Sequence, residues 1–198
     1  MPEEPTFDIS PPFEAFYIEA MLFSTKSALD SLQITNHSLD RCREWESRPE
    51  LAAADRDTIL DHLQNVVSCG AALSRYFWPA RTHAIHAKRA RRLRSSLGVA
   101  DSSPLKNREL RNLIEHFDER LDHYLRKGIV GHIFPAHIGN RPEEPEVPVH
   151  VFRAYYTEVA VFEVLGNRFE IKPIVEEIAR LHALLTKCSE NGSVLPRE

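Results

Sequence analysis

Long hydrophobic runs are absent from this sequence, and no stretch approaches the roughly 18 apolar residues that a membrane-spanning helix needs. The start of the chain, MPEEPTFDIS, lacks the basic residues and the apolar run of a secretory signal peptide. Cysteine is scarce: Cys42, Cys69 and Cys188 lie far apart and form no C-x-x-C pair, a pattern typical of reduced thiols. We therefore expect a cytoplasmic protein that is not inserted in a membrane.

Several signatures of enzyme chemistry are missing as well. The sequence contains neither a Gly-rich phosphate-binding loop nor the G-x-S-x-G motif of serine hydrolases. Histidine is common, and the His83–His86 and Glu119–His123 spacings are of a kind that can hold zinc or iron. Neither H-E-x-x-H nor a paired E-x-x-H motif accompanies them, so we expect no metal and no other cofactor.

Acidic residues outnumber basic ones, so the net charge is −4 and the pI is about 6.2. Such values argue against a dedicated DNA-binding protein, whose binding domain is usually basic. The local exception is the segment KRARRLR, which could contact the phosphate backbone of RNA. The alternative is a solvated helix face that pairs with acidic residues of a neighbouring helix. The RNA-binding candidates in this segment are Lys88, Arg89, Arg91, Arg92 and Arg94.

The chain of 198 residues is long enough for one domain with a sizeable core. After an extended lead-in over residues 1–12, apolar residues recur at three- and four-residue spacing, which predicts a helix from Phe13 to about Glu46. A second helix is expected between Pro49 and Pro79, with one apolar face. That face comprises Ile59, Leu63, Val66, Val67 and Leu73.

The second helix closes on the aromatic residues Tyr76, Phe77 and Trp78, which either stack on nucleic-acid bases or bury the helix end in the core. The basic segment predicts a third helix that stops at Gly98. A fourth helix is expected from Leu105 to Lys127, where a basic last turn precedes the capping residue Gly128.

The pattern changes after Gly128. Residues 129–172 are rich in Val, Phe and Tyr, with Pro-rich and Gly-containing breaks, and Gly166–Asn167 is a plausible hairpin turn. We predict a small antiparallel sheet there and a last helix over residues 173–190, packed through Ile174, Ile178, Leu181 and Leu185. The expected fold is mainly α: an antiparallel four- to five-helix bundle in a single domain, residues 1–198, with a β-rich insertion before the final helix.

The stretch RNLIEHF, Arg111–Phe117, lies in the fourth predicted helix. At 100° per residue, one stripe of that helix is apolar and should face the core. It consists of Leu110, Leu113, Ile114, Phe117, Leu121 and Tyr124. A polar stripe lies roughly opposite and consists of Asn112, His116, Glu119 and His123. His116 is therefore not a core histidine, and the choice lies between a solvated helix face and a functional site.

RNLIEH fits the pattern R-x4-H with a polar residue directly after the Arg. It resembles the motif of the HEPN superfamily, helical-bundle proteins that include metal-independent ribonucleases of toxin and defence systems. The resemblance implies a catalytic role for Arg111, Asn112 and His116 only. Some nuclease members carry a Tyr two residues after the His, where this chain has Asp118. Other members bind or regulate without cleaving RNA, so a non-catalytic module that acts through protein contacts is the alternative.

The chemistry of the motif is coherent. Metal-free RNA cleavage needs a proton acceptor for the 2′-OH or a donor for the leaving oxygen, and His titrates near neutral pH. It also needs a cation for the phosphorane, which Arg supplies because it binds phosphate in a bidentate manner and keeps its proton. Arg111 lies about 140° round the helix from His116. We therefore expect a homodimer through the Arg111–His123 helix, in which each chain brings its Arg towards the partner's His. For the toxin-like members the resemblance also implies a neutralising partner protein.

Overall fold

The protein is described by a computed structural model that covers residues 9–81, 83–107, 109, 112, 116–141 and 147–197. Over these residues the fold is mainly helical, with a small sheet before the last helix, as predicted. The helices are α1 (Pro11–Asp40), α2 (Pro49–Phe77), α3 (Ala84–Ser96), α4 (Phe117–Arg126) and α5 (Ile171–Glu190). The strands are β1 (His132–Gly139), β2 (Val149–Tyr156), β3 (Val161–Val164) and β4 (Asn167–Glu170). Short 3-10 turns cover Arg41–Glu44 and Pro104–Lys106.

The helices α1, α2 and α5 form the centre of the molecule. The predicted apolar face of α2 is confirmed, since all five of its residues are buried, and so is that of α5. The first helix begins at Pro11 rather than Phe13, because proline fits the first turn of a helix, where its missing N–H is not needed. For the same reason α5 begins at Ile171 and accommodates Pro173 in its first turn.

The sheet has the strand order β1-β2-β3-β4. The pairs β2–β3 and β3–β4 are antiparallel, but β1 runs parallel to β2, so the prediction of a wholly antiparallel sheet was wrong. Strand periodicity does not specify the partner. Here the connection between β1 and β2 returns the chain to the start of β1, where the His132 amide donates to the Pro148 carbonyl at 3.0 Å.

Gly131 permits this close approach of the two chain segments. Its φ is +126°, in the region that L side chains rarely adopt, and a Cβ atom there would collide with the Pro148 carbonyl oxygen. The entry into β1 therefore depends on a glycine at this position.

The predicted fourth helix is not continuous. His116 has φ −129° and ψ 42°, outside the helical region, and α4 begins only at Phe117. The helical wheel drawn from Leu110 to Leu125 was therefore wrong at His116. At the start of α4 the Phe117 ring meets Phe152 of β2 edge-on, with centroids 5.9 Å apart, so this end of the helix packs against the sheet.

The described members of the predicted apolar stripe of this helix do pack inward. Phe117, Leu121 and Tyr124 are partly buried against the main core. No side chain of α4 is fully buried, however, so this helix lies on the molecule rather than within it. Within the described part of the chain, no helix is both long and apolar enough to cross a membrane.

Candidate functional site

A cleft of about 830 Å³ lies between α4 and the turn that joins β3 to β4. It is open to solvent on one side, since Glu119, His123 and Lys127 on its wall are exposed. The lining residues are Asn112, His116, Glu119, Arg120, His123, Tyr124, Lys127, Leu165, Gly166 and Asn167. The predicted polar stripe, Asn112 to His123, thus lies entirely on the wall of this cleft.

His116 stands at the start of α4, and its side chain is 54% exposed. Its backbone amide donates to the Asn112 carbonyl at 3.2 Å, so the two residues remain about one turn apart despite the break in the helix. The His116 Nδ1 atom lies 3.5 Å from a carboxylate oxygen of Glu119, which can orient the imidazole. Arg111, which the resemblance pairs with His116, lies outside the described residues.

Arg120 supplies positive charge within the cleft. Its Nη1 atom lies 3.2 Å from a carboxylate oxygen of Glu109 and 3.4 Å from the side-chain oxygen of Asn167. The Asn167 amide nitrogen donates to the carbonyls of Val164 and Leu165, at 3.3 and 3.2 Å. These bonds place the amide oxygen towards Arg120, so the turn helps to hold the guanidinium on the cleft wall.

The opposite wall is the β3–β4 turn. Leu165 and Gly166 have φ values of 49° and 77°, as in a type I′ hairpin turn, one position earlier than the predicted Gly166–Asn167. A Cβ atom on Gly166 would lie 3.9 Å from the ring of Tyr124, so the turn passes close to α4. This approach closes one side of the cleft.

Tyr124 connects the cleft to the sheet behind it. Its hydroxyl lies 3.1 Å from Nδ1 of His150, and the two rings meet edge-on with centroids 5.9 Å apart. The Nε2 atom of His150 lies 3.3 Å from the Val130 carbonyl oxygen. Burial, together with the negative charge of Glu163, raises the pKa of the Tyr124 hydroxyl.

Sequence reasoning missed this pair. It placed Tyr124 on the apolar stripe and gave His150 no role, because the two residues are 26 positions apart and no local motif joins them. Arg120 was missed as well, since its partner on β4, Asn167, is 47 positions away. Only the packing of α4 on the sheet reveals either contact.

The basic segment lies on α3, and three of its arginines contact other residues of the protein. Arg92 pairs with the buried Glu14 at 3.0 Å, and Arg94 pairs with Asp101 at 3.0 Å. Arg89 donates to a backbone carbonyl and lies over the rings of Tyr17 and Tyr76. Lys88 and Arg91 are exposed. The binding of RNA by this segment stays a prediction.

At the aromatic end of α2, Phe77 is fully buried, as the alternative of burial in the core predicts. Tyr76 and Trp78 are partly buried against the core. The rings of His83 and His86 meet edge-on at 6.1 Å. Over the described residues no group of three or more His, Cys, Asp or Glu side chains could hold a metal ion.

No protein-family model matches the chain, and no curated protein and no solved structure is significantly similar to it. The geometry of the cleft and the R-x4-H resemblance are therefore the two grounds for a functional proposal.

Proposed function

We propose that this chain is an HEPN-like, RNA-directed protein whose site is the α4 cleft, and that it cleaves RNA without a metal ion. The observation that carries the proposal is the joint position of Asn112 and His116 on the wall of one open cleft that also contains the cations Arg120 and Lys127. His116 would move the proton, Arg111 would bind the scissile phosphate, and Asn112 would orient the imidazole.

The cleft suits a polyanionic chain better than a small apolar ligand. Its volume lies within the range of roughly 300–1,000 Å³ that is usual for ligand sites. Most of its lining side chains are polar or charged, and several are exposed, so a strand can enter from solvent. Arg120 and Lys127 would contact the flanking phosphates, with affinity that falls as salt concentration rises.

We propose further that the protein is a two-fold dimer through this helix. In a two-fold interface one surface meets its own copy, so Arg111 of one protomer can approach His116 of its partner. The absence of fully buried side chains on α4 supports this arrangement, since the helix keeps surface available for a partner.

One observation favours a non-catalytic alternative. Asp118, which is exposed, stands where some nuclease members carry Tyr, and Glu119 adds negative charge beside His116. Carboxylates repel a phosphate backbone. In that case the α4 surface would act as a protein-binding module, and the partner would be a protein.

The test is cleavage of a mixed-sequence RNA in the presence of EDTA, with the 3′ ends of the products identified. Wild-type protein should leave 2′,3′-cyclic phosphate ends, the product of attack by the 2′-OH. His116→Ala and Arg111→Ala should each abolish cleavage. His37→Ala is the matched control, because His37 is exposed on α1 and does not line the cleft.

A dimer that cleaves no RNA under any tested condition would favour the protein-binding module. A protein that stays monomeric at high concentration would contradict the proposed interface. Lys127→Ala should weaken RNA binding more than Arg126→Ala, since Lys127 lines the cleft and its neighbour Arg126 does not.

A further inference from the structure

His116 can perform only one of the two proton transfers that RNA cleavage requires. Attack by the 2′-OH needs a group that accepts the hydroxyl proton, and departure of the 5′-oxygen needs a group that donates one. Under the proposed function, on which this inference rests, a second group must perform the other transfer.

The hydrogen bonds of His150 fix the direction of its bond to Tyr124. A carbonyl oxygen only accepts, so the contact with Val130 requires the proton of a neutral His150 to be on Nε2. The Nδ1 atom is then an acceptor, and the hydroxyl of Tyr124 must donate to it. The lone pairs of the Tyr124 oxygen are left for a donor that comes from the cleft, which Tyr124 lines.

We infer that Tyr124 and His150 form a proton relay that activates the 2′-OH of RNA, with His116 as the acid on the other side of the phosphate. Tyr124 is the catalytic residue, because it touches the substrate, and His150 stands behind it as the final proton acceptor. The ligand class is a ribose 2′-hydroxyl beside a phosphodiester.

The step is balanced as follows. The 2′-OH gives its proton to the Tyr124 oxygen, while the original hydroxyl proton of Tyr124 passes to Nδ1 of His150. The 2′-oxygen forms a bond to phosphorus, and the bond from phosphorus to the 5′-oxygen breaks. Protonated His116 gives a proton to that 5′-oxygen. The products are a 2′,3′-cyclic phosphate and a 5′-OH, and the two histidines exchange protonation states, which water then restores.

The surroundings of Tyr124 suit this role. The raised pKa of its hydroxyl keeps Tyr124 a phenol that passes protons on, rather than a phenolate. The nearby carboxylate of Glu163 is itself paired with Arg168 at 2.7 Å. The imidazolium that forms at His150 keeps its Nε2–H bond to the Val130 carbonyl, which stabilises the positive charge.

His116 and Tyr124 line the same cleft, so a phosphodiester bound there can contact both side chains. Residues 116 and 124 are about 12 Å apart along a helix axis at 1.5 Å per residue. The intervening cleft wall carries Arg120, whose charge can face the phosphate.

The test uses two substrates: a ribodinucleotide, and the same dinucleotide with sulfur in place of the bridging 5′-oxygen. Thiolate leaves without a proton, so the sulfur substrate needs the base but not the acid. Tyr124→Phe and His150→Asn should each lower kcat by about 100-fold or more on both substrates, with KM nearly unchanged. Asn can accept the hydrogen bond of Tyr124 but cannot take up its proton, so this variant separates a relay from simple positioning.

His116→Ala is the control for the acid: it should be inactive on the oxygen substrate and active on the sulfur substrate. Two variants outside the cleft are the controls for the base. Tyr17→Phe and His83→Asn repeat the same chemical changes on α1 and before α3 and should leave kcat unchanged. Thermal melts of all variants check that each is folded.

Each outcome decides between the claims. If Tyr124→Phe keeps the wild-type kcat on both substrates, the relay is overturned while the proposed cleavage stands. If a folded His150→Asn variant keeps full activity, the claim that His150 is the final proton acceptor is overturned. If the wild-type protein cleaves neither substrate, the proposed function and the relay are both overturned.

Discussion

The helical centre of the molecule and the α4–β1 side are built in different ways. In α2 and α5 whole faces are buried, and Phe77, Ile178 and Leu181 are fully inaccessible. In α4 and β1 no side chain reaches that state, and the first half of β1 is exposed. Apolar packing dominates in the centre, whereas partial burial and directed contacts together hold α4.

Those directed contacts are few and specific. Between α4 and the sheet they comprise the ring pair of Phe117 with Phe152, the bond of Tyr124 to His150 and the contact of Arg120 with Asn167. Because the free energy of folding comes mainly from apolar burial, the centre carries most of the stability. The α4 side is then free to keep polar groups exposed in a cleft, so substitutions there should affect function more than folding.

The largest effect is expected in the centre. Phe77→Ala should lower the free energy of unfolding by about 3–5 kcal/mol, since it removes a fully buried ring and leaves a cavity. Phe134→Ala, at a ring of β1 that is 41% exposed, is the matched control and should cost much less. Urea unfolding followed by circular dichroism measures both. Equal losses would remove the proposed difference between the two regions.

A smaller loss should follow from Arg92→Ala. This change leaves Glu14, which is buried beneath α3, without the guanidinium 3.0 Å away. The Arg92 side chain is 28% exposed, so solvent reduces the cost below the roughly 3–5 kcal/mol that is usual for breaking a buried pair. The exposed Arg91→Ala should change stability by no more than about 0.5 kcal/mol.

The Arg91→Ala variant also tests the basic segment. If the segment binds RNA, Arg91→Ala should weaken RNA binding without loss of stability, because its side chain is exposed. Unchanged binding by this variant would argue that the arginines of α3 serve the fold. A filter-binding titration at two salt concentrations makes the measurement.

Sequence periodicity sufficed for the core faces of α2 and α5, whereas α1 ends at Asp40, earlier than the predicted end near Glu46. The buried positions of α2 and α5 repeat at the helical period, so Ile59, Leu63, Ile178 and Leu181 could be assigned to the core from the sequence alone. The existence of strands between Gly128 and α5 was predictable for a similar reason, since β-branched and aromatic residues alternate with turn residues there.

The pairing of one strand or helix with another was not predictable in this way. The parallel pairing of β1 with β2 depends on where a proline-rich connection returns the chain, and the contact of Phe117 with Phe152, next to the break at His116, joins distant positions. For the site, the stripe from Asn112 to His123 followed from spacing. The turn residues and His150 did not, because their contacts with α4 join distant positions.

A further prediction concerns acid stability. The Arg41 guanidinium, with a hydrogen bond from the Trp45 indole, holds the pKa of the buried Asp55 carboxyl below its usual value. A depressed pKa in the folded state contributes stability that is present above the unfolded pKa, about 3.9 for Asp, and is lost as pH falls through the folded pKa.

Asp55→Asn should therefore lower stability at neutral pH and make stability less dependent on pH below about 4. Asp57→Asn, an exposed neighbour on the same helix, is the control and should leave the acid limb nearly unchanged. Urea midpoints measured between pH 3 and 7 give the comparison. Parallel curves for Asp55→Asn and wild type would contradict the assignment.

The smallest effect on folding is expected at His116, and a second histidine sharpens the comparison. His116 is 54% exposed on the cleft wall, whereas His182 of α5 is partly buried and bonded through Nδ1 to the Thr25 hydroxyl at 2.9 Å. His116→Ala should change the free energy of unfolding by no more than about 0.5 kcal/mol. His182→Ala should cost about 0.5–1.5 kcal/mol, because it removes this hydrogen bond while the Thr25 hydroxyl still donates to the Leu22 carbonyl at 3.0 Å. Under the proposed function the order reverses for RNA cleavage, which His116→Ala abolishes and His182→Ala retains at temperatures where it is folded. A large loss of stability from His116→Ala would place this residue with the structural centre and remove the ground for assigning it to the site.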